Sequence, residues 1–235
     1  TFIAQNMPTV VLDFKSQEKA FELNFKTNEL SFDVPTKSSI DPNKANYKLA
    51  LLKIPKSLDL FRLQLSQIHG SLTENGQVVC GFMTKYFSKQ YLSIASEFFE
   101  DCTQSKAWKK SRILILKKKR KIKKQTFLNE ISYSSDKTFK QHYGVFSAKN
   151  IDYATQFFID HMDVRMDHTK ILDLAAGNGI LAYAVQKEKP NSEIHVLEDS
   201  HLALESSKMN IEGTNVHFHY NDCLADFEDQ SFDLI

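Results

Sequence analysis

At 235 residues, 42% hydrophobic and 25% charged, the chain is long enough for one or two ordinary cores. It has no apolar run near the ~20 residues of a membrane span, no basic-then-apolar leader after Thr1, and only three scattered cysteines, Cys80, Cys102 and Cys223; membrane, secreted disulfide-rich and zinc-finger classes are therefore not expected. The net charge of +1 conceals an asymmetry: 11 of the 30 Lys and Arg lie between Thr103 and Asn129 with no acid among them, leaving 19 basic against 29 acidic residues elsewhere, the footprint of a polyanion partner.

Thr9–Asp13 reads as a strand ending in an acid, and Ser16 as the N-cap of a helix to about Lys26. Glu29–Val34 alternates as a strand, and 35–46 is rich in turn residues. Tyr47–Leu52 reads as a buried strand running into Lys53-Ile-Pro-Lys56, followed by a helix from Leu58 to about His69 with apolar residues at helical spacing. Then come a strand over Gln77–Gly81, a helix over Ser88–Cys102 and a strand over Ser111–Leu116. This alternation predicts a mostly parallel sheet covered on both faces. The basic run Lys117–Lys124 punctuates the chain, and Glu130–Tyr143 suggests a hairpin turning at Ser134–Asp136. A helix follows over Asp152–Met162.

The most informative stretch comes next. Ile171-Leu-Asp-Leu-Ala-Ala-Gly-Asn-Gly-Ile180 predicts a buried strand entering a glycine turn that opens a helix, and a second strand, Glu193–Leu197, ends in Glu198 and Asp199. Gly179 and Glu198 are 19 residues apart, the spacing of a βαβ nucleotide site in which the loop approaches the ligand and the acid accepts ribose hydroxyls. No third glycine completes a dinucleotide fingerprint, and no Gly-Lys-Ser/Thr completes a phosphate loop, so the pattern suits a nucleoside ligand without pyrophosphate. Strand, helix, strand and acid recur in both halves, with Asp13 and Glu198 in comparable places.

The second half resembles the class I S-adenosylmethionine methyltransferases. The whole chain resembles the bacterial ribosomal RNA guanine-N2 methyltransferases, through Leu52-Lys-Ile-Pro-Lys-Ser57, Ala107-Trp-Lys-Lys-Ser-Arg112, Val145-Phe-Ser147, Ile171–Gly179, Glu198-Asp-Ser200 and Asn221-Asp-Cys-Leu224. Trp108-Lys-Lys-Ser-Arg112 is closer to the large-subunit enzyme. The resemblance implies an α/β fold of two tandem Rossmann-like methyltransferase domains, the first degenerate and both incomplete. Their expected extents are 1–122, non-catalytic, and 123–235, cofactor-binding. It further implies S-adenosylmethionine as cofactor, ribosomal RNA as partner and a cytoplasmic location, with no metal and no membrane.

By the same resemblance, Asp173, Ala175, Gly177, Asn178 and Gly179 form the cofactor loop. Glu198, with Asp199 beside it, takes the ribose, Asp222 and the Cys223 N–H take the adenine edge, and Phe146, Ser147 and Asp152 lie near the methionine end. Two departures stand out: Ala175 replaces the first loop glycine, and Glu198 is one methylene longer than the commoner Asp. The family's catalytic Asn-Pro-Pro-Phe follows a fourth strand, expected at Ser231–Ile235; it does not occur in these residues, which are expected to be an inactive part of a longer enzyme.

Lys109, Lys110, Arg112, Lys118, Lys119 and Arg120 are the expected RNA contacts, against the alternative of a charged junction or guarded edge strand. A lone tryptophan beside a strand reads first as half-buried packing, so Trp108 is expected there before any role against a base. His217 and His219 read as a solvated strand face, because no ligand spacing completes a metal site. Two rival readings stay open. One is a methyltransferase for a protein glutamine or an adenine amine; the other is a non-enzymatic RNA-binding protein with a vestigial cofactor pocket, which Ala175 supports.

Overall fold

A computed structural model describes residues 5–6, 8–30, 33–41, 45–123 and 125–235. It divides into two compact units, Thr1–Ser38 with Leu128–Ile235, and Ser39–Phe127. This differs from the expected extents of 1–122 and 123–235, because residues up to Ser38 pack with the later residues. The reason is backbone bonding between distant segments: Lys15 N–H donates to the Asp199 carbonyl (2.9 Å), and His201 N–H donates to the Asp13 carbonyl (2.9 Å).

In the Ser39–Phe127 unit the order is β3 (Tyr47–Lys53), α2 (Leu58–Ser71), β4 (Leu72–Met83), a 3-10 turn (Thr84–Tyr86), α3 (Lys89–Phe98), β5 (Phe99–Gln104) and β6 (Ser111–Lys119). Helix α2 starts where expected because the Ser57 side chain accepts the Leu60 N–H (3.2 Å). The sheet order is β3-β4-β6-β5, parallel between β3 and β4 and antiparallel thereafter. Three expectations are corrected here. The sheet expected to be mostly parallel has one parallel pair and two antiparallel ones, because β6 returns between β4 and β5. The helix expected to reach Cys102 stops at Phe98, since Phe99–Gln104 pairs with β6 as an edge strand. The sheet expected to be covered on both faces is covered on one: Phe61, Leu65, Val78, Cys80, Phe98, Leu114 and Leu116 form the core with α2 and α3, while Leu49, Leu51 and Ile113 are exposed. Tyr47–Lys53 is therefore half-buried, alternating as an antiparallel-type strand does.

The other unit begins with β1 (Val10–Val11), α1 (Lys15–Thr27) and β2 (Thr36–Lys37), the last pairing parallel with β1. The strand expected at 29–34 is absent among the described residues 29, 30, 33 and 34; Ser31 and Phe32 lie outside them, as do 42–44 of the expected loop and Lys124 of the basic run. Pairing falls instead at Thr36–Lys37, where Val10 N–H finds the Pro35 carbonyl and Leu12 N–H finds the Lys37 carbonyl. Ser16 is not the N-cap of α1; Phe14 is.

The chain continues through the hairpin β7 (Leu128–Ser132) and β8 (Thr138–His142), then α4 (Tyr153–His161), β9 (Lys170–Leu174), α5 (Ile180–Glu188), β10 (Glu193–Glu198), α6 (His201–Asn210) and β11 (Val216–Tyr220). Strands β11-β10-β9 form a parallel sheet, and Leu234 bridges Ile171 in parallel on the far side of β9. Ile171, Ala182, Val185, Ile194, Val196, Leu204 and Ile211 make its core. The near-continuous apolar run of β10 follows from burial on both faces.

Candidate functional site

Strand β9 leads into a turn with three left-handed residues: Ala175 at φ 59°, Gly177 at φ 60° and Gly179 at φ 80°. The Ala175 and Ala176 N–H groups both donate to the Leu197 carbonyl, at 2.9 and 3.3 Å, which ties the turn to the end of β10. A Cβ on Gly179 would lie 2.6 Å from Ile211 Cδ1 and 2.9 Å from Ser207 Cβ, whereas one on Gly177 would meet nothing within 4 Å. Gly179 is thus required by close helix packing, and Gly177 faces open space.

Gly179 is also the N-cap of α5 and has no side chain to offer. The helix end is satisfied from a distance: Asp173 Oδ2 accepts the Ala182 N–H at 2.9 Å. Burial pushes the Asp173 carboxyl up to about 6, against the opposing pull of the Ala182 N–H and with help from the nearby Glu198 charge. The folded chain therefore holds a proton there that the unfolded chain has lost above its ordinary value of 3.8. Its contribution to stability is full below about 3.8 and is lost as pH rises through about 6. Asp173→Asn keeps an acceptor for Ala182 but cannot titrate. The stability difference, native minus variant, should decline across that window and be level above it, read from urea unfolding at stepped pH.

Glu198 is buried at the end of β10. Its Oε2 accepts the Gly177 N–H and its Oε1 accepts the Ser200 N–H, both at 2.8 Å. One carboxylate thus fixes the glycine turn and the start of α6 together, with one lone-pair site left on each oxygen.

Sequence reasoning missed two residues that hold this turn. Gln141, fully buried on β8, accepts the Asn178 side-chain amide (2.8 Å) and donates to the carbonyls of Val145 (3.3 Å) and Phe146 (3.1 Å). Asn210 donates to the Asn178 carbonyl (2.9 Å) and bonds both the N–H and the carbonyl of Lys140 (2.8 Å each). Neither lies in a motif; their only signal is a polar residue at a position the hairpin and helix patterns reserve for the core.

The remaining expected cofactor residues are placed unevenly. Asp199 has its carboxylate taken up by helix α1, accepting the Ser16 N–H (2.8 Å) and the Ser16 hydroxyl (2.7 Å). Asp222 pairs with Lys19, whose ammonium also reaches Asn221 Oδ1 (2.7 Å) and Cys223 Sγ (3.6 Å). Phe146 is 80% exposed, and Asp152 is the N-cap of α4, accepting from Ala154 and Thr155.

The expected basic contacts divide in two. Lys119 Nζ donates to the Leu72 carbonyl (2.9 Å), Arg120 N–H donates to the Phe98 carbonyl (2.8 Å), and Lys118 pairs with Asp101 (2.9 Å). They belong to the β5–β6 edge, because β6 extends through Lys119. Lys109 and Lys110 occupy a tight turn before β6, and Arg112 bonds the Gln104 side chain (3.2 Å). Trp108 is 73% exposed, against the expectation of half-buried packing.

The parallel register His195↔His217 brings together a group that chain spacing does not reveal: ligand atoms of Glu193, His195 and His217 lie within 4.8 Å of one another. His195 also stacks on His219, with its Nδ1 2.8 Å from His219 Nε2. Burial holds both of these imidazoles below the usual histidine range.

A parallel sheet with a glycine turn at the end of one strand and a carboxylate at the end of the next is a Rossmann-like nucleotide unit, here of the class I methyltransferase type. Residues 1–121 match the RLMG N-terminal domain family, and residues 136–235 match the methyltransferase small domain. The chain belongs to the RLMG N-terminal domain family. Curated relatives named ribosomal RNA large subunit methyltransferase G include those of Pseudoalteromonas translucida (29% identity, 80% of this chain and 51% of the relative) and Shewanella loihica (28%, 94% and 58%). That of Klebsiella pneumoniae is 25% identical over 99% of this chain and 64% of its own length. The chain therefore spans between about half and two-thirds of these relatives. Among solved structures, the T. thermophilus 16S rRNA N2 G1207 methyltransferase (RsmC), in complex with AdoMet and guanosine, shares the fold. Its TM-score is 0.74 at 17% identity, covering 96% of this chain and 63% of that one.

Proposed function

We propose that this chain is part of a cytoplasmic enzyme that uses S-adenosylmethionine to methylate the exocyclic N2 of a guanine in large-subunit ribosomal RNA. The observation that carries this is the link between Glu198 and the Gly177 N–H, with open space over Gly177. The free lone pairs of Glu198 suit two ribose hydroxyls. The backbone at Gly177 can be approached closely because no Cβ intervenes. The names of the longer relatives support the substrate and the reaction.

When bound, S-adenosylmethionine supplies an electrophilic methyl group on a sulfonium. This chain's residues bind and orient. Glu198 holds the loop and would hold the ribose, and Asp173 keeps the N-terminal N–H of α5 satisfied below the turn. Ala175, Asn178 and Gly179 shape the turn, and Asp222 with the Cys223 N–H would take the adenine edge, with Lys19 competing for the carboxylate. Asp199 acts through α1, and Phe146 offers an exposed ring near the Gln141-held loop. Holding the acceptor nitrogen in line with the methyl carbon is the main requirement of such a transfer.

Isothermal calorimetry of this chain with S-adenosylmethionine and S-adenosylhomocysteine tests the reading. One-to-one binding of both is expected. Absence of binding would leave an RNA-binding protein with a vestigial pocket.

A further inference from the structure

Four polar side chains share one face of the parallel sheet, towards the end away from the glycine turn. Glu193 and His195 are two residues apart on β10, and His217 and His219 two apart on β11, so the members of each pair point the same way. The register sets His195 beside His217 and Leu197 beside His219. Glu193 opens β10 and Glu198 closes it, so the strand separates Glu193 from the turn that Glu198 holds.

The donor atoms of three of them converge. Glu193 Oε1 is 2.7 Å from His195 Nε2 and 3.7 Å from His217 Nε2, and the three ligand atoms lie within 4.8 Å of one another. Ligands held about 2.0–2.2 Å from a tetrahedral zinc ion stand roughly 3.4 Å apart. The two separations from Glu193 bracket that value, and the His217 side chain, 45% exposed, is free to turn and close the remaining gap. His195 is buried and is held from behind, with its Nδ1 2.8 Å from His219 Nε2. For a metal at His195 Nε2, the imidazole proton sits on Nδ1 and is donated to His219. This is the outer-shell arrangement that fixes the tautomer and ring angle of a ligand histidine. Phe227 and Phe232 set their ring edges against His195, at 5.8 and 5.1 Å between centroids, and Phe227 meets His219 at 4.9 Å. The cluster thus has an apolar wall on one side, while Glu193 and His217 reach solvent on the other. Lys170 Nζ, 3.9 Å from Glu193 Oε1, is half-exposed and has room to swing away from an arriving cation.

We propose that Glu193, His195 and His217 bind one divalent transition-metal cation of the zinc type, with His219 as the positioning residue and water in the fourth place. Two imidazoles and one carboxylate suit zinc and its neighbours, and not the all-oxygen shells of magnesium or calcium. The ion ties β10 to β11. The proposal goes against the expectation of no metal, which rested on spacing along the chain: the pair on β10 gains its third ligand only through strand pairing. It does not depend on the methyltransferase reading.

Calorimetric titration of this chain with zinc chloride, after treatment with a chelator, tests the site. One-to-one binding is expected, and excess magnesium should not displace the zinc. His217→Ala should weaken binding by more than about 100-fold, since loss of an outer-shell partner alone costs about 10–100-fold and loss of a ligand costs more. His217 is exposed, so its removal leaves the core intact. His219→Ala keeps all three ligands and should weaken binding by about 10–100-fold at unchanged stoichiometry. Cys223→Ser should bind zinc as the native chain does, which separates this cluster from the exposed thiol. Four results would overturn the site. The native chain might bind zinc no more tightly than His217→Ala, magnesium might displace the ion, or Cys223→Ser might lose it. Equal affinity in His219→Ala and the native chain would mark the binding as adventitious capture by a surface imidazole.

Discussion

Gly179→Ala should destabilise the unit containing the parallel β9–β11 sheet by about 2–5 kcal/mol, measured by urea unfolding. Two costs combine. An L side chain at φ 80° carries about 1–2 kcal/mol, and a methyl group placed 2.6 Å from Ile211 Cδ1 and 2.9 Å from Ser207 Cβ carries roughly a further 1–3 kcal/mol of overpacking. Gly177→Ala isolates the first cost, because its φ of 60° is similar and its surroundings are empty. It should lose only about 1–2 kcal/mol. Equal losses at both glycines would mean that helix packing against the turn does not matter.

Ala175 is the converse case. It already occupies φ 59°, where the resemblance places a glycine. An alanine-to-glycine change in a regular element costs about 0.5–1 kcal/mol. Here the relief of left-handed strain opposes that cost, and Ala175→Gly should leave stability unchanged or raise it by up to about 1 kcal/mol. A loss of the ordinary size would show that the turn relaxes at no cost around the alanine.

Glu198→Ala should abolish measurable cofactor binding, a loss of more than about 100-fold, because two hydrogen bonds to a charged acceptor are each worth roughly 1.5–3 kcal/mol. It should also destabilise the fold by about 1–3 kcal/mol, since the Gly177 and Ser200 N–H groups lose their acceptor. Glu198→Gln separates the effects. The amide retains one acceptor oxygen but presents an NH2 group to the second N–H, so stability should fall less than affinity does. Calorimetry and thermal unfolding on the same samples give both numbers. Binding unchanged in Glu198→Ala would remove the acid from the site.

The differences between expectation and structure have a common cause. Periodicity located α2 and the parallel strands because burial imposes it within each element. It extended the helix to Cys102 because nothing local distinguishes Phe99–Gln104 from a helix end; only pairing with β6 does. It made Ser16 a cap because serine favours that position, whereas the structure offers Ser16 a half-buried carboxylate 183 residues away at Asp199. Along the basic run, extension of β6 through Lys119 gives Lys118, Lys119 and Arg120 partners at Asp101, Leu72, Phe98 and Phe99, while Lys118 and Arg120 stay exposed.

What the chain order determined by itself was the glycine turn and the acid at the end of the next strand. Short-range sterics and strand–helix geometry specify both, and each is complete within 30 residues of sequence. The tertiary structure alone decided that Gln141 and Asn210 hold that turn, that α1 engages Asp199 and Asp222, and that Trp108 is exposed. Each of these depends on contacts between segments far apart in the chain. Backbone register and burial set such contacts, and no local pattern encodes them.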